Sequence, residues 1–478
     1  MAMNRRMLLG AGVLAPIAAS AAAQPAPVAP PASPPEVTRT LARYLVQARY
    51  EDLPANVRKE GVRTLLNWVG CAVGGSRHEA VDRAVAALGP FAGKPEANVL
   101  GRRERFDIVT TALLNGVSSH VFDYDDTHLK TIIHPAGPVV PAMLALAQRR
   151  PVSGTEFLNA LVLGVETECR IGNAVYPNHY EAGWHITGSV GMFGAAAACG
   201  KLLGLTEQQM VWALGIAASQ PVGLKIQFGS MTKSFHPGRA AQNGLTAALL
   251  AAQGYDSAEA VLEGKDGWGQ AVSTKRDWTE VVEGLGTRYE AALNTYKPFA
   301  CGIVTHPGID AAIQLRNERR VAPDQIEALE LHANPLVLSL TGKTDPQSGL
   351  EGKFSIYHCI AVGLIHGAAG ERQFSDAVVR DPVIVALRRR VSVRTDPAVK
   401  TQQSTLTARL KDGQRLSVHV ENAVGSLERP MTDAQLEAKF ADLADGVIGK
   451  DRVRRLMDQC WNVEKLTSAG RIATAAAA

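Results

Sequence analysis

Histidines, lysines and carboxylates gather in five short segments of this chain, mostly beside a glycine or a helix start. The first is Asp123-Tyr124-Asp125-Asp126-Thr127-His128, followed by His134-Pro135-Ala136-Gly137. Three carboxylates in four residues bring divalent cations to mind, but the alternate acids, sixth-position Gly and twelfth-position Glu of an EF-hand are missing. A solvated loop explains the acids equally well. The second, Gly183-Trp184-His185-Ile186-Thr187-Gly188, opens a run rich in Gly and Ala. Small residues there let backbones approach closely, and His185 with Thr187 at a helix start can set an imidazole and a hydroxyl beside a ligand. A lone histidine otherwise reads as a core or cap residue.

The third segment, Gly229-Ser230-Met231-Thr232-Lys233-Ser234-Phe235-His236-Pro237-Gly238-Arg239, runs Lys233, His236 and Arg239 into a helix start. Free N–H groups and the positive helix end favour an anion there. It lacks the GxxxxGK[ST] pattern of a Walker loop. The fourth and fifth are Tyr296-Lys297-Pro298-Phe299-Ala300-Cys301 and Lys353-Phe354-Ser355-Ile356-Tyr357-His358. Each alone is an ordinary lysine beside core aromatics. Brought to one pocket, the five segments suit a small di- or tricarboxylate, with lysines pairing carboxylates and histidines moving protons near neutral pH.

Elements that would position these residues follow from periodicity. From Glu36 to about Gly286, Ala, Leu and Val recur at spacings of three and four with Gly and Pro as punctuation, which predicts a large helical domain over residues 36–285. Ser153 and Thr155 head one helix. Thr206 with Gln209 forms a capping box ahead of another, and Pro237 is expected at a helix start. After Tyr296 the texture changes. Ile326–His332, Arg390–Thr395, Leu406–Leu410 and Leu416–Val420 alternate as strands, with Asp412-Gly413 a hairpin turn. Helical stretches at Pro307–Arg316 and Ser355–His366 accompany them, giving a smaller α+β domain over 286–422. Residues 423–465 return to helix and are expected to pack back on the first domain. Residues 466–478 read as a tail with a frayed end. The fold class is therefore mainly α, a large all-helical domain plus a smaller α+β domain.

Composition removes other classes. The 478 residues include 50 Lys plus Arg and 46 Asp plus Glu, a net charge of +4 without a dense basic stripe, so no nucleic-acid partner is expected. Asn4-Arg5-Arg6 followed by a mild apolar run to Ala23 fits a twin-arginine export signal over residues 1–23, and the run is marginal for a membrane span. Membrane contact is then expected only through export, with a periplasmic mature protein. Residues 24–35, six of twelve of them proline, form an extended tether. Removing both signal arginines leaves 48 basic against 46 acidic residues, a mature charge of +2. The six cysteines, at 71, 169, 199, 301, 359 and 460, lack CxxC or Cys/His ligand spacing and read as buried thiols, with no zinc site indicated.

The five segments, in this order, resemble those of the MmgE/PrpD family, and Arg429-Pro430-Met431-Thr432-Asp433 with Lys439-Phe440 resembles its C-terminal signature. The resemblance covers about residues 36–460. It implies a cofactor-free, metal-free, homodimeric enzyme whose α+β domain acts as a lid, among 2-methylcitrate dehydratases, cis-aconitate decarboxylases and an iminodisuccinate epimerase. Carried over by position, it puts Asp123, Thr127, His134, His185, Lys233 and Lys297 in the pocket. Three departures stand out. Thr127 to His134 is one residue longer than in the decarboxylases; their histidine five positions after the Lys297 match falls on Gly302; and His358, with Tyr357 beside it, stands where they have a tyrosine. The last two weigh against decarboxylation of cis-aconitate.

These residues give a mechanism. Lys233 and Lys297, assisted by His236 and Arg239, would bind substrate carboxylates, and His134 or His185 would exchange a proton next to one of them while Asp123 orients the imidazole. Tyr357 or His358, carried by the lid, would protonate a departing hydroxyl. The expected activity is a lyase, dehydrating a 2-methylcitrate-like hydroxy acid, with an epimerase or decarboxylase of a related acid as the alternative. A non-enzymatic rival is an exported polycarboxylate-binding protein, for which two lobes of alternating strands and helices would be expected.

Overall fold

The computed structural model describes residues 36–478, so the expected signal and tether lie outside the described residues. Two long helices form the centre of the helical domain. Gly154–Val175 starts at a Ser153/Glu156 capping box, and Ile186–Leu203 starts at His185. Both are almost wholly buried; the second is apolar on nearly every side, as a central core helix is, while the first also buries charged groups, Arg170 pairing with Glu166. Ile186–Leu203 is long and apolar enough to cross a membrane by length and composition, but in this fold its surface is covered by protein. The Thr206/Gln209 capping box forms as expected.

Close crossings of small residues fix the arrangement around the site. Helix Ile108–His120 meets helix Thr232–Ala252 where a Cβ on Gly116 would lie 2.4 Å from the Gly238 Cα. A Cβ on Gly244 would lie 2.5 Å from the Met192 carbonyl oxygen, so the second helix is equally tight against Ile186–Leu203. Only glycine permits these approaches. His120, at the end of one helix, and Lys233, in the first turn of the other, are thereby set side by side. Pro237, expected at a helix start, lies inside a helix that begins five residues earlier, at Thr232.

The smaller unit is a four-stranded sheet in the order Val391–Thr395, Ile326–Ala333, Ser404–Leu410, Arg415–Val420. The first pair is parallel and the others antiparallel, and Gly413 (φ +87°) turns the hairpin. Inward side chains such as Leu329, Leu331, Leu406 and Ala408 share a core with helices His306–Asn317 and Ile356–His366. The strands, hairpin and helices predicted from the sequence are present, and the fold is a large helical domain with a smaller α+β part.

Two features join the parts. A short antiparallel ladder, which sequence alternation does not reveal, pairs Asp126–His128 with Asn294–Tyr296. Helix Asp433–Ile448 packs on Ala55–Gly75, where Cβ atoms on Gly70 and Gly74 would lie 2.8 and 2.9 Å from Phe440 and Leu443. The chain end corrects an expectation. It is not frayed: Arg471–Ala475 is helical, Ile472, Ala473 and Ala476 are buried, and the Gly101 N–H donates to the Ala476 carbonyl at 2.8 Å. An all-alanine terminus still packs when it needs little room. All six cysteines are buried thiols.

Candidate active site

Asp123 is the hub of the site. It follows the helix ending at His120 and adopts a left-handed backbone (φ +51°), which an aspartate tolerates better than most residues. Its Oδ1 accepts from Lys233 Nζ and Lys297 Nζ, each at 2.8 Å. The two lysines arrive by different routes. Lys233 comes from the glycine-spaced helix, and Lys297 directly follows the strand that pairs with Asp126–His128. Burial alone would keep Asp123 protonated, but the two ammoniums overcome it and hold the carboxyl well below its ordinary range.

Lys233 also donates to His120 Nε2 at 2.8 Å, while His120 Nδ1 lies 2.6 Å from Asp125 Oδ2. With Lys233 as donor, His120 must carry its proton on Nδ1 and give it to Asp125. Burial lowers the His120 pKa against the pull of Asp125. Each lysine therefore retains one N–H for a ligand: Lys233 has spent two on His120 and Asp123, and Lys297 two on Asp123 Oδ1 and its carbonyl.

His134 lies across the pocket. Its Nδ1 is 2.7 Å from the Asp126 carbonyl, which fixes the proton on that nitrogen and leaves Nε2 bare, 3.9 Å from Asp123 Oδ1. Burial, then the nearby Lys297 ammonium, hold the His134 pKa well below the ordinary histidine value, so the imidazole is neutral. Thr127 Oγ1 is 3.2 Å from the same Nδ1, and the Thr187 hydroxyl accepts from the His134 backbone N–H at 3.2 Å. Both threonines brace His134 and neither lines the pocket, so Thr187 does not stand beside a ligand as its spacing from His185 implied. Asp126 is held at about 7 by burial and by its neighbour Asp125, while its Oδ2 accepts from Ala136 N and Asn294 Nδ2.

His185 sits at the start of its helix, with its Nδ1 2.9 Å from His236 Nδ1. Burial and the Lys233 charge hold His185 well below the ordinary range, and burial brings His236 to about 3. His236 thus supports His185 from behind. Arg239 is exposed and bonds Gln242, so it does not join the site. Tyr357 and His358 do not line the pocket either. His358 Nε2 lies 3.1 Å from the Gln373 carbonyl and its ring packs against Phe374. The expected acids of the α+β side are packed into their own core, His358 against Phe374 and Tyr357 against the cluster that joins the helix to the sheet.

Asp123, His134, His185, Lys233 and Lys297 thus meet at one pocket. Its opposite wall, from the α+β side, consists of Gly302, Ile303, Val304, Leu340, Thr341 and Phe354. Sequence reasoning missed His120 and Asp125 as partners. His120, three residues before Asp123 at the end of an apolar helix, was the available signal. It also missed the reason for Lys439: buried, it donates to Asn67 Oδ1 and to the carbonyls of Tyr124 and Lys297, tying the C-terminal helix to both site segments. Lys353 is structural, donating to the Ala300 carbonyl and pairing with Glu371.

His120, His134 and His185 place ring nitrogens within 4.8 Å of one another, as do His120, Asp123, Asp125 and His134. That spacing would admit a metal ion, but two lysine ammoniums already occupy Asp123 and His120 Nε2, and their charge opposes a divalent cation. The donor set fits an anion better.

A charged floor from a helical bundle, closed by an apolar wall from an α+β unit, defines a pocket for a small anion. Comparison with known proteins gives this architecture its family. The MmgE/PrpD N-terminal domain matches residues 39–281 and the MmgE/PrpD C-terminal domain matches residues 299–463. The chain belongs to the MmgE/PrpD family. It is 28% identical over 460 residues to a cis-aconitate decarboxylase of Aspergillus terreus, covering 90% of this chain and 94% of the relative. It is 27% identical over 458 residues to the Homo sapiens cis-aconitate decarboxylase, covering 92% and 94%. A 2-methylcitrate dehydratase of Cupriavidus necator is 23% identical over 404 residues, covering 76% and 81%.

Proposed function

We propose that this protein is a cofactor-independent lyase acting on a small di- or tricarboxylic acid. The observation that carries the reading is the pair of lysines on Asp123 Oδ1, each with one N–H to spare, facing the bare Nε2 of a neutral His134. The Lys297 ammonium binds a substrate carboxylate, and both ammoniums stabilise the enediolate charge that develops when His134 removes the adjacent carbon-bound proton. Family membership supports the same class of reaction, since its relatives include enzymes that eliminate carbon dioxide or water.

For the finer step we favour dehydration of a 2-methylcitrate-like hydroxy acid. Asp123 Oδ2 is buried without a protein partner, an acceptor suited to a substrate hydroxyl. Lys233, its pKa lowered by burial against the pull of Asp123, gives its proton to the departing hydroxyl, which leaves as water. A second reading, decarboxylation, is favoured by the apolar wall of Ile303, Val304, Leu340 and Phe354 and by the decarboxylase relatives. A carboxylate turned to that wall would leave as neutral carbon dioxide. Incubation with 2-methylcitrate, citrate, cis-aconitate and iminodisuccinate separates the readings. Alkene absorbance with water loss supports dehydration, carbon dioxide release supports decarboxylation, and inactivity on all four refutes the lyase reading.

We further propose that the mature enzyme is a periplasmic homodimer exported by the twin-arginine route. The support is the sequence around Arg5-Arg6 and the family resemblance. N-terminal sequencing of the periplasmic fraction and light scattering test both points.

A further inference from the structure

Beside the catalytic pocket lies a second cavity of about 320 Å³, against about 30 Å³ for the pocket by the same measure. The two share Ile132, Ile303 and Val304 as a common wall. Behind it the larger cavity is flanked by Tyr176 and Pro307 and reaches Lys130 and Glu428, both exposed.

Ile132 is the unusual member of that wall. It has φ +61°, a left-handed conformation that a β-branched side chain adopts only at a steric cost. The turn is held firmly. Ile132 N–H donates to the His128 carbonyl and His128 N–H to the Ile133 carbonyl, both at 2.8 Å, while His128 is braced by Thr131 at 2.7 Å and Glu290 at 3.1 Å. Glycine would meet the backbone requirement without strain. What isoleucine adds is its side chain, an apolar plug between two cavities.

We propose that Ile132 is a specificity-determining residue: with Ile303 and Val304 it closes the catalytic pocket against a side chamber, limiting the ligand to a short substituent where an alkyl chain would otherwise extend. The inference rests on the polycarboxylate reading of the site. The lysines lie on the side that takes the carboxylates, and Ile132, Ile303 and Val304 present apolar surface to the pocket where it adjoins the chamber. Trimming the plug joins the chamber to the pocket and gives an alkyl tail room to leave water.

Calorimetric titration of the full chain with succinate and with 2-hexylsuccinate tests this without requiring turnover. The wild type is expected to bind succinate at least tenfold more tightly than hexylsuccinate. Ile132→Gly is expected to shift that ratio at least tenfold toward hexylsuccinate, and Val304→Ala in the same direction by less. The ratio of equilibrium constants is blind to whether the chamber serves as an entry route. An unchanged ratio in folded variants, or equal binding of both acids by the wild type, overturns the proposal alone. If succinate does not bind the wild type, the polycarboxylate reading falls and the proposal falls with it. Should Ile132→Gly fail to fold, the Val304→Ala ratio decides.

Discussion

The two walls of the pocket are built on opposite principles. The helical floor carries Asp123, His134, His185 and Lys233, with Lys297 added by the strand Asn294–Tyr296 that pairs onto it, nearly all cross-linked by hydrogen bonds, whereas the α+β wall presents glycine, threonine and apolar side chains. Its own titratable groups, Tyr357 and His358, face elsewhere. On the proposed function, chemistry and shape divide between the two parts: the floor would move protons and bind charge, and the wall would exclude water and set size. In a dry site each floor charge acts more strongly, and each one left unpaired costs more.

Removing a floor cation should do most to break this division. Lys233→Ala and Lys297→Ala are each expected to lower kcat/KM by about 10³-fold, the scale of losing a preorganised electrostatic group; retention of full turnover by either would contradict its role. Asp123→Asn leaves two buried ammoniums without their carboxylate and is expected to destabilise the fold by about 3–5 kcal/mol, read as a lower midpoint in urea. Gly116→Ala should separate His120 from Lys233, because its Cβ would press on Gly238, and should lower both stability and activity.

The pH dependence should sharpen the comparison. Burial and neighbouring ammoniums hold His134 and His185 below the ordinary histidine value of about 6.5, so the acid limb of kcat/KM should fall below that pH. Burial lowers Lys233 from its ordinary value, so the alkaline limb should start below the usual lysine range. Stability has the matching sign. As pH drops through about 6.5 the unfolded chain takes up protons that these buried imidazoles do not, so the folded state loses stability on the acid side. Least affected should be Tyr357→Phe, with less than about a twofold change in kcat/KM, since removing one hydroxyl outside the pocket leaves the floor intact.

Much of this was legible in the sequence because it is local. The helix start at Ser153, the capping box at Thr206, the strand alternation of 326–332 and the Asp412-Gly413 turn are written in neighbouring residues. Five pocket residues followed from ordered motifs. What was hidden depends on distant partners. The ladder between Asp126–His128 and Asn294–Tyr296 spans only three residues per strand, too short for alternation to show. Arg239 is on the right helix but exposed, and His358 is in the right motif but on the inward face, because helix rotation is set by packing that spacing cannot report. His120 was overlooked because a histidine at the end of an apolar helix looks like a cap. Its partners Asp125 and Lys233 make it part of the site.

The central claim, that proton removal belongs to His134 on the helical floor, is tested most directly by hydrogen exchange. The protein is incubated in deuterated water with whichever of the four acids it converts, and NMR follows deuterium entering the carbon beside the carboxylate. Wild-type protein is expected to exchange, and His134→Asn to lose at least about 100-fold of that rate while Tyr357→Phe and His358→Gln keep it. Full exchange by His134→Asn, or its loss in His358→Gln with His134 intact, would contradict the account.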